Sequence, residues 1–344
     1  MKKVIYIISS LMLVFAITGC KSYKEFSKTF FEDYFNTVIT VYAYETSEKK
    51  FTENMELVEA EIDKYHKLYD IYYEYSGMNN ICTINKSAGI APVIVDKEII
   101  DLLKYSKDIY EVTNGYVNVA MGSVLKLWHD AREYASDYPN DAYVPDLSEL
   151  IIAAQSTDIE SIIINEEESS VYINDPYTLL DVGAVAKGYA CEQVAQMLIE
   201  NGAKYYTLNF GGNIRCIGTK ADESPWKIGI QNPVAEDAAS AIEAVYINNR
   251  SVVTSGSYQR YYYVGDKKYH HIINPDTLMP EDNFVSVSII TTNSALGDAL
   301  STALFNLSLE KGQALIDSID DTEAIWIDNA GTIYKTSGFD SYKG

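Results

Sequence analysis

Apolar and polar side chains alternate over residues 37–44 (TVITVYAY), and a period of two predicts a strand with one buried face. From residue 53 to about 75 the period changes. Met55, Leu57, Val58, Ile62, Tyr65, Leu68 and Tyr69 recur three and four apart, the stripe of an amphipathic helix. A second helix is expected over 96–113, ending at the cap pair Asn114-Gly115. The polar stretch 131–145 reads as an exposed loop. Residues 161–165 and 171–174 read as a hairpin around the acidic 166–168. A helix after Lys187 should stop near Asn201-Gly202. Short β-rich runs then dominate: YYTLN, IRCIG, WKIGI, IEAVYI, SVVTS and YYYVG. Two last helices begin near Asn293 and Leu309, and a strand pair follows at 324–328 and 332–335. No repeat and no linker divides the chain. Helices and antiparallel-looking strands are mixed without strict alternation, so the expected class is α+β, one compact unit over 36–344.

The first residues follow a different pattern. Lys2 and Lys3 precede an almost wholly apolar run, 4–17, and then Ile17-Thr18-Gly19-Cys20. The run is short for a stable span and has the flanks of a signal peptide. Small residues directly before a cysteine resemble a bacterial lipobox. That implies a signal over 1–19, lipidation of Cys20, a tether over 20–35, and a protein anchored on the extracytoplasmic face of the cell membrane.

Composition narrows the function classes. The 344 residues carry 27 Lys+Arg against 49 Asp+Glu, a net charge of −22, which argues against nucleic-acid backbones as partners. Four cysteines are too few for a disulfide framework, and their spacing matches no zinc site. The 47% hydrophobic content supplies a core, and 29 tyrosines suggest a pocket or surface rich in amphipathic rings.

Four segments carry candidate chemistry. In Asp181-Val-Gly-Ala-Val-Ala-Lys-Gly-Tyr189 a carboxylate, two glycines and a lysine stand at a strand-to-helix turn: a ligand cradle, or a tight turn with a capping Asp. Asn209-Phe-Gly-Gly-Asn213 allows close backbone approach, or simply a loop with positive φ. Thr254-Ser-Gly256 is followed by Tyr269-His-His-Ile-Ile-Asn-Pro275, which holds two of only four histidines; on a strand these two point to opposite faces. In Asn293-Ser-Ala-Leu-Gly-Asp-Ala-Leu-Ser-Thr302, Asp298 and Thr302 stack on one helical face: a pair suited to a hard cation, or an exposed Asp beside a back-bonded Thr.

In this order the four segments, with Asn114-Gly115-Tyr-Val-Asn118 and Leu127-Trp128, resemble the ApbE family of FAD:protein FMN transferases, over about residues 31–335. The resemblance implies a T-fold-related architecture. It also implies Mg²⁺-dependent transfer of FMN from FAD to a Ser or Thr hydroxyl of an exported acceptor protein, a redox-complex subunit or extracellular electron carrier, with release of AMP. It assigns Asp298, Thr302 and the Ala184 carbonyl to Mg²⁺, and His271 to the acceptor hydroxyl, with His270 one residue off the motif position. Asp181, Lys187, Ile272, the Tyr116-Val117-Asn118 segment and Phe35, before Asn36-Thr37, fall at positions of flavin contacts. The tyrosines of 68–75 are candidates to stack on a flavin or adenine ring. With water as acceptor the same site would be an FAD pyrophosphatase, and without turnover a flavin carrier. Three departures bear on the pocket: Asn274 replaces the usual Asp, Thr277-Leu278-Met279-Pro280 replaces Thr-Gly-x-Pro, and the N-terminal Met-Gly-Thr is missing.

Overall fold

The computed structural model describes residues 22–31, 34–233 and 240–344, so Cys20 and the apolar leader lie outside the described residues. The chain runs through β1 (Lys24–Phe30), β2 (Ile39–Glu45), α1 (Glu48–Tyr69), α2 (Ile81–Lys86), β3 (Val93–Ile94), α3 (Lys97–Val112) and α4 (Gly122–Asp137). Next come α5 (Leu147–Ala153), β4 (Ile162–Asn165), β5 (Ser170–Ile173), α6 (Ala186–Glu200), β6 (Tyr206–Phe210), β7 (Asn213–Ile217), β8 (Trp226–Gln231) and β9 (Ala241–Ile247). The last part holds β10 (Ser251–Gly256), β11 (Tyr261–Val264), β12 (Lys267–His270), β13 (Ser286–Thr291), α7 (Ser294–Asn306), α8 (Leu309–Asp317), β14 (Glu323–Ile327) and β15 (Ile333–Lys335).

The main sheet has the order β1-β2-β6-β7-β10-β13-β14-β15, every neighbour antiparallel. Helices α6 and α7 lie against it and against each other, and α1 packs beside them. The three-stranded β3-β5-β4 sheet and the β8-β9 and β11-β12 hairpins complete an α+β fold. Alternation explains the sheet: in β2 Ile39, Val41 and Ala43 are buried, whereas Tyr42 is exposed. In α1, Phe51, Met55, Val58, Ile62, Tyr65 and Leu68 form the buried stripe, and the Ser47 hydroxyl caps it by accepting from Lys50 N at 3.3 Å.

Three sequence expectations need correction. Residues 20–35 are not wholly a tether, because Lys24–Phe30 forms the sheet's edge strand. Phe26 stacks on Phe51 at 5.2 Å and Phe30 is buried, while Lys24 and Lys28 guard the edge; the lysines masked this alternation. Helix α1 ends at Tyr69 rather than near 75 because Asp70 diverts the chain. Its carboxylate accepts from Tyr72 N (2.7 Å), Tyr73 N (3.1 Å) and the Tyr75 hydroxyl (2.7 Å), which competes with another helical turn. The expected loop over 131–145 begins as helix, since α4 continues to Asp137. Val124, Trp128, Ala131 and Ala135 form its buried stripe, and two alanines gave a weak apolar signal. Cys82, Cys191 and Cys216 are buried free thiols. Among the described residues no helix is long and apolar enough to cross a membrane.

Candidate active site

A cleft of about 890 Å³ opens where α6, α7, α4, the end of α1 and the turns around 35, 117, 182, 255 and 272 converge. Phe35, Tyr116, Val117, Asn118, Asp181, Ala184, Lys187, His271, Ile272, Asp298 and Thr302 all line it. Residues scattered over 268 positions of sequence thus share one cavity, of the size range typical of cofactor sites.

The floor is the crossing of α6 and α7. Asp298, 3% exposed, accepts from Lys187 Nζ at 3.1 Å (Oδ1) and 3.4 Å (Oδ2) and from Gly188 N at 2.8 Å (Oδ2). The helices meet this closely only because residue 188 is glycine; a Cβ there would stand 2.4 Å from Asp298 Cβ and 2.5 Å from the Ser294 carbonyl. One helical turn away, buried Glu192 accepts from Ser294 N at 2.8 Å and from Arg215 Nε at 3.1 Å, fixing the start of α7. Thr302 Oγ1 donates to the Asp298 carbonyl at 3.3 Å, the back-bonding considered for it from sequence, while its hydroxyl still borders the cleft. Asp181 is not the cap of α6, whose N-cap is Val185. It closes a turn by accepting from Gly183 N at 2.8 Å, and burial raises its carboxyl above the ordinary range, offset in part by that amide and by His129, Arg132 and Arg260.

The adjacent histidines have different surroundings. His270 is 4% exposed; its Nδ1 accepts from Ile272 N at 3.2 Å, its Nε2 lies 2.8 Å from the Glu281 carbonyl, and its ring meets Phe305 edge-on. Both nitrogens are therefore occupied by backbone. His271 is half-buried, with Nδ1 3.3 Å from the Arg260 carbonyl. With Nδ1–H donating there, Nε2 is the basic atom. Burial first, then Arg260, His270 and Arg132, hold its pKa down to about 3, so the ring is neutral at pH 7.

On the walls, Phe35 and Asn36 adopt φ of 54° and 52°, and Phe35 N donates to His66 Nδ1 at 3.3 Å. The Tyr116 hydroxyl donates to Asp276 at 2.8 Å. The Asn118 side chain accepts from Ala120 N in its own loop and donates to the Thr157 carbonyl, in the connection between α5 and β4. Two of the sequence departures acquire a geometry. Asn274 donates its amide to Glu281 Oε2 at 2.9 Å, which an aspartate would repel. Leu278, at the position of the usual glycine, has φ of 61° and is buried against α4, where its carbonyl accepts from Trp128 Nε1 at 2.9 Å.

Sequence reasoning gave no site role to the cleft residues of α4, although Trp128 belongs to the Leu127-Trp128 motif, nor to that of the turn before β11. Leu125, Trp128, His129 and Arg132 face the cavity, and Arg260 stands across from them. The spacing 125, 128, 129, 132 is one helical face, and only its last member, Arg132, falls in the stretch 131–145 read as a loop.

Residues 35–326 match the model of the ApbE family. An FAD:protein FMN transferase of Klebsiella pneumoniae (strain 342) is 34% identical over 250 residues, 72% of this chain and 75% of the relative. One of Treponema pallidum is 32% identical over 264 residues, 72% of this chain and 70% of its own length. The crystal structure of the ApbE protein of Thermotoga maritima superposes with a TM-score of 0.80 at 25% identity, covering 94% of this chain and all of that one. The chain belongs to the ApbE family, as an enzyme that transfers flavin from FAD to protein.

Proposed function

We propose that the chain transfers FMN from FAD to a Ser or Thr hydroxyl of an exported acceptor protein, with Mg²⁺ and release of AMP, while a lipid on Cys20 holds it at the extracytoplasmic membrane face. The carrying observation is that a neutral imidazole, His271, and a buried carboxylate, Asp298, border the same flavin-sized cleft. In the step, the acceptor oxygen forms a bond to the phosphorus of the FMN half. The P–O bond to AMP breaks, AMP leaves with that electron pair, and the hydroxyl proton passes to His271 Nε2.

The donor set suits Mg²⁺. Asp298, Thr302 and Ala184 offer a carboxylate, a hydroxyl and a carbonyl, all hard oxygens in one cleft, and a cation at Asp298 would take over the charge pairing that Lys187 now supplies. Among the described residues no group of three His, Cys, Asp or Glu side chains is placed to hold a metal, whereas Mg²⁺ takes few protein ligands and completes its shell with water and phosphate. Bound there, it would neutralise charge developing on the phosphates. Phe35, Tyr116, Val117, Asn118, Asp181, Lys187 and Ile272 line the volume available to FAD.

The test is full-length protein in detergent with FAD, Mg²⁺ and a threonine-bearing exported domain. The expected result is a gain on the acceptor of the mass of FMN less one water, matched mole for mole by AMP and abolished by EDTA. AMP and free FMN with no mass gain would instead make it a pyrophosphatase. Cys20→Ala should leave the protein in the soluble fraction with transfer intact; retention on membranes would refute the lipid anchor.

A further inference from the structure

The chain has four arginines, and their partners differ. Arg215 pairs with Glu192 and Arg250 with Asp321, whereas among the described residues no ion pair includes Arg132 or Arg260. Those two both face the cleft. Arg132 Nη2 lies 2.8 Å from His129 Nδ1, and Arg260 Nη2 donates to the Asn36 carbonyl at 3.5 Å, so both guanidiniums touch only neutral acceptors. They come from separate elements, α4 and the turn before β11, and each lies within the other's field. In a chain of net charge −22, two guanidiniums at one cavity mouth with no ion pair, offset only at longer range by the carboxylates of Asp181 and Glu133, call for a reason. An anionic ligand supplies one.

We propose that Arg132 and Arg260 form a clamp for phosphate oxygens, and that the group it takes is the pyrophosphate of FAD. The proposal rests on the FAD-dependent transfer argued above. Planar guanidinium forks match phosphate oxygens two by two, and a cleft that limits water strengthens the contact. The clamp stands beside the reacting centre: the carbonyl of Arg260 receives His271 Nδ1, so the residue that orients the imidazole also brings its charge to the phosphate. Charge therefore changes hands when FAD enters. The ionisable groups facing His271 are Arg260, His270 and Arg132, and all three disfavour the imidazolium. Phosphate oxygens on the two guanidiniums offset that field, and Nε2 becomes a better proton acceptor once substrate is in place.

Flavins of graded phosphate content test this. Riboflavin has none, FMN one and FAD a pyrophosphate, and titrating flavin fluorescence with the full-length protein gives each Kd. For Arg132→Gln and Arg260→Gln we expect FAD to bind 10- to 100-fold more weakly, FMN less so, and riboflavin within twofold of the parent. The FAD affinity should also lose part of its salt dependence, and Arg260→Lys should recover part of the loss. Equal weakening of FAD and riboflavin would make the arginines structural and overturn the clamp. So would unchanged FAD binding, including the case in which only the KM of the acceptor rises. If a Gln variant lowers Tm, Arg132→Met and Arg260→Met, which keep a long side chain without its charge, carry the same comparison. A parent chain that binds FAD yet transfers nothing would sink the function argued above without touching the clamp.

Discussion

The floor and the rim of the cleft are built on opposite principles. At the floor, Asp298, Lys187, Gly188, Glu192, Arg215 and Ser294 N form a connected set in which each charge meets its opposite or a backbone amide, all nearly fully buried except the half-buried Lys187. At the rim, Arg132, Arg260, His129 and Tyr72 are partly exposed; Tyr72 lies on the His129 ring at 5.1 Å, and the arginines meet neutral acceptors. A buried charge is tolerated only when paired, so Lys187 and the Gly188 amide hold the Asp298 carboxylate before a cation arrives. The rim is solvated and can hold charge in reserve. The proposed metal-binding carboxylate thus sits between two locked helices, the proposed base His271 sits just after β12, and the rim groups sit where water can leave.

The largest effect expected comes from breaking the floor. Asp298→Ala should lower kcat at saturating FAD at least about a thousandfold, the scale of losing a principal electrostatic contact. FAD affinity should fall less than tenfold, because the rim is untouched. AMP release and flavin fluorescence read the two quantities separately. Turnover near that of the parent would place the chemistry elsewhere in the cleft.

The histidine pair sharpens the contrast within two adjacent residues. His271→Ala should slow transfer by roughly 10² to 10⁴, the usual worth of a general base, with little change in Tm. His270→Ala should act on stability, since it strips partners from the Glu281 carbonyl and Ile272 N and leaves space beside Phe305. About 2–3 kcal/mol is expected for orphaning buried groups of this kind. Reversed outcomes would exchange the roles. Burial lowers the pKa of both rings relative to the unfolded chain. The unfolded state therefore binds more protons below pH 6.5, and stability should be greatest above that pH and fall as acid is added. Urea midpoints at pH 7.5 and 5 read this directly.

The same division explains what could be read from sequence. Floor residues cluster in short strings whose spacing survives folding: Lys187 and Gly188 open α6, and Asp298 and Thr302 stack one turn apart on α7. The turn at Asp181 and the two histidines were visible for the same reason. The rim was visible only at Tyr72, among the tyrosines of 68–75; Arg132, Arg260 and His129 meet only through tertiary contacts and sit in polar sequence. Arg132 lay in a stretch without an apolar stripe of large side chains, and the role of Arg260 depends on α4 standing opposite. β1 was hidden by the lysines that protect a sheet edge, and the stop at Asp70 by a side-chain turn that periodicity does not report.

Leu278 tests how far the rim depends on its support, with the smallest effect expected. Its backbone is left-handed at φ 61°, where a branched side chain is strained by about 1–2 kcal/mol, and its carbonyl braces Trp128 of α4. Leu278→Gly relieves that strain and removes a nearly buried leucine, whose burial contributes about 1.5–3 kcal/mol. Burial outweighs strain, so the variant should lose about 1 kcal/mol. Because α4 carries Arg132, FAD binding should weaken two- to threefold, while kcat at saturation, set by the floor, stays within experimental error. A rise in Tm would show that strain dominates at this position. A fall in kcat would show that floor and rim are mechanically joined through α4, and the separation drawn between them would then fail.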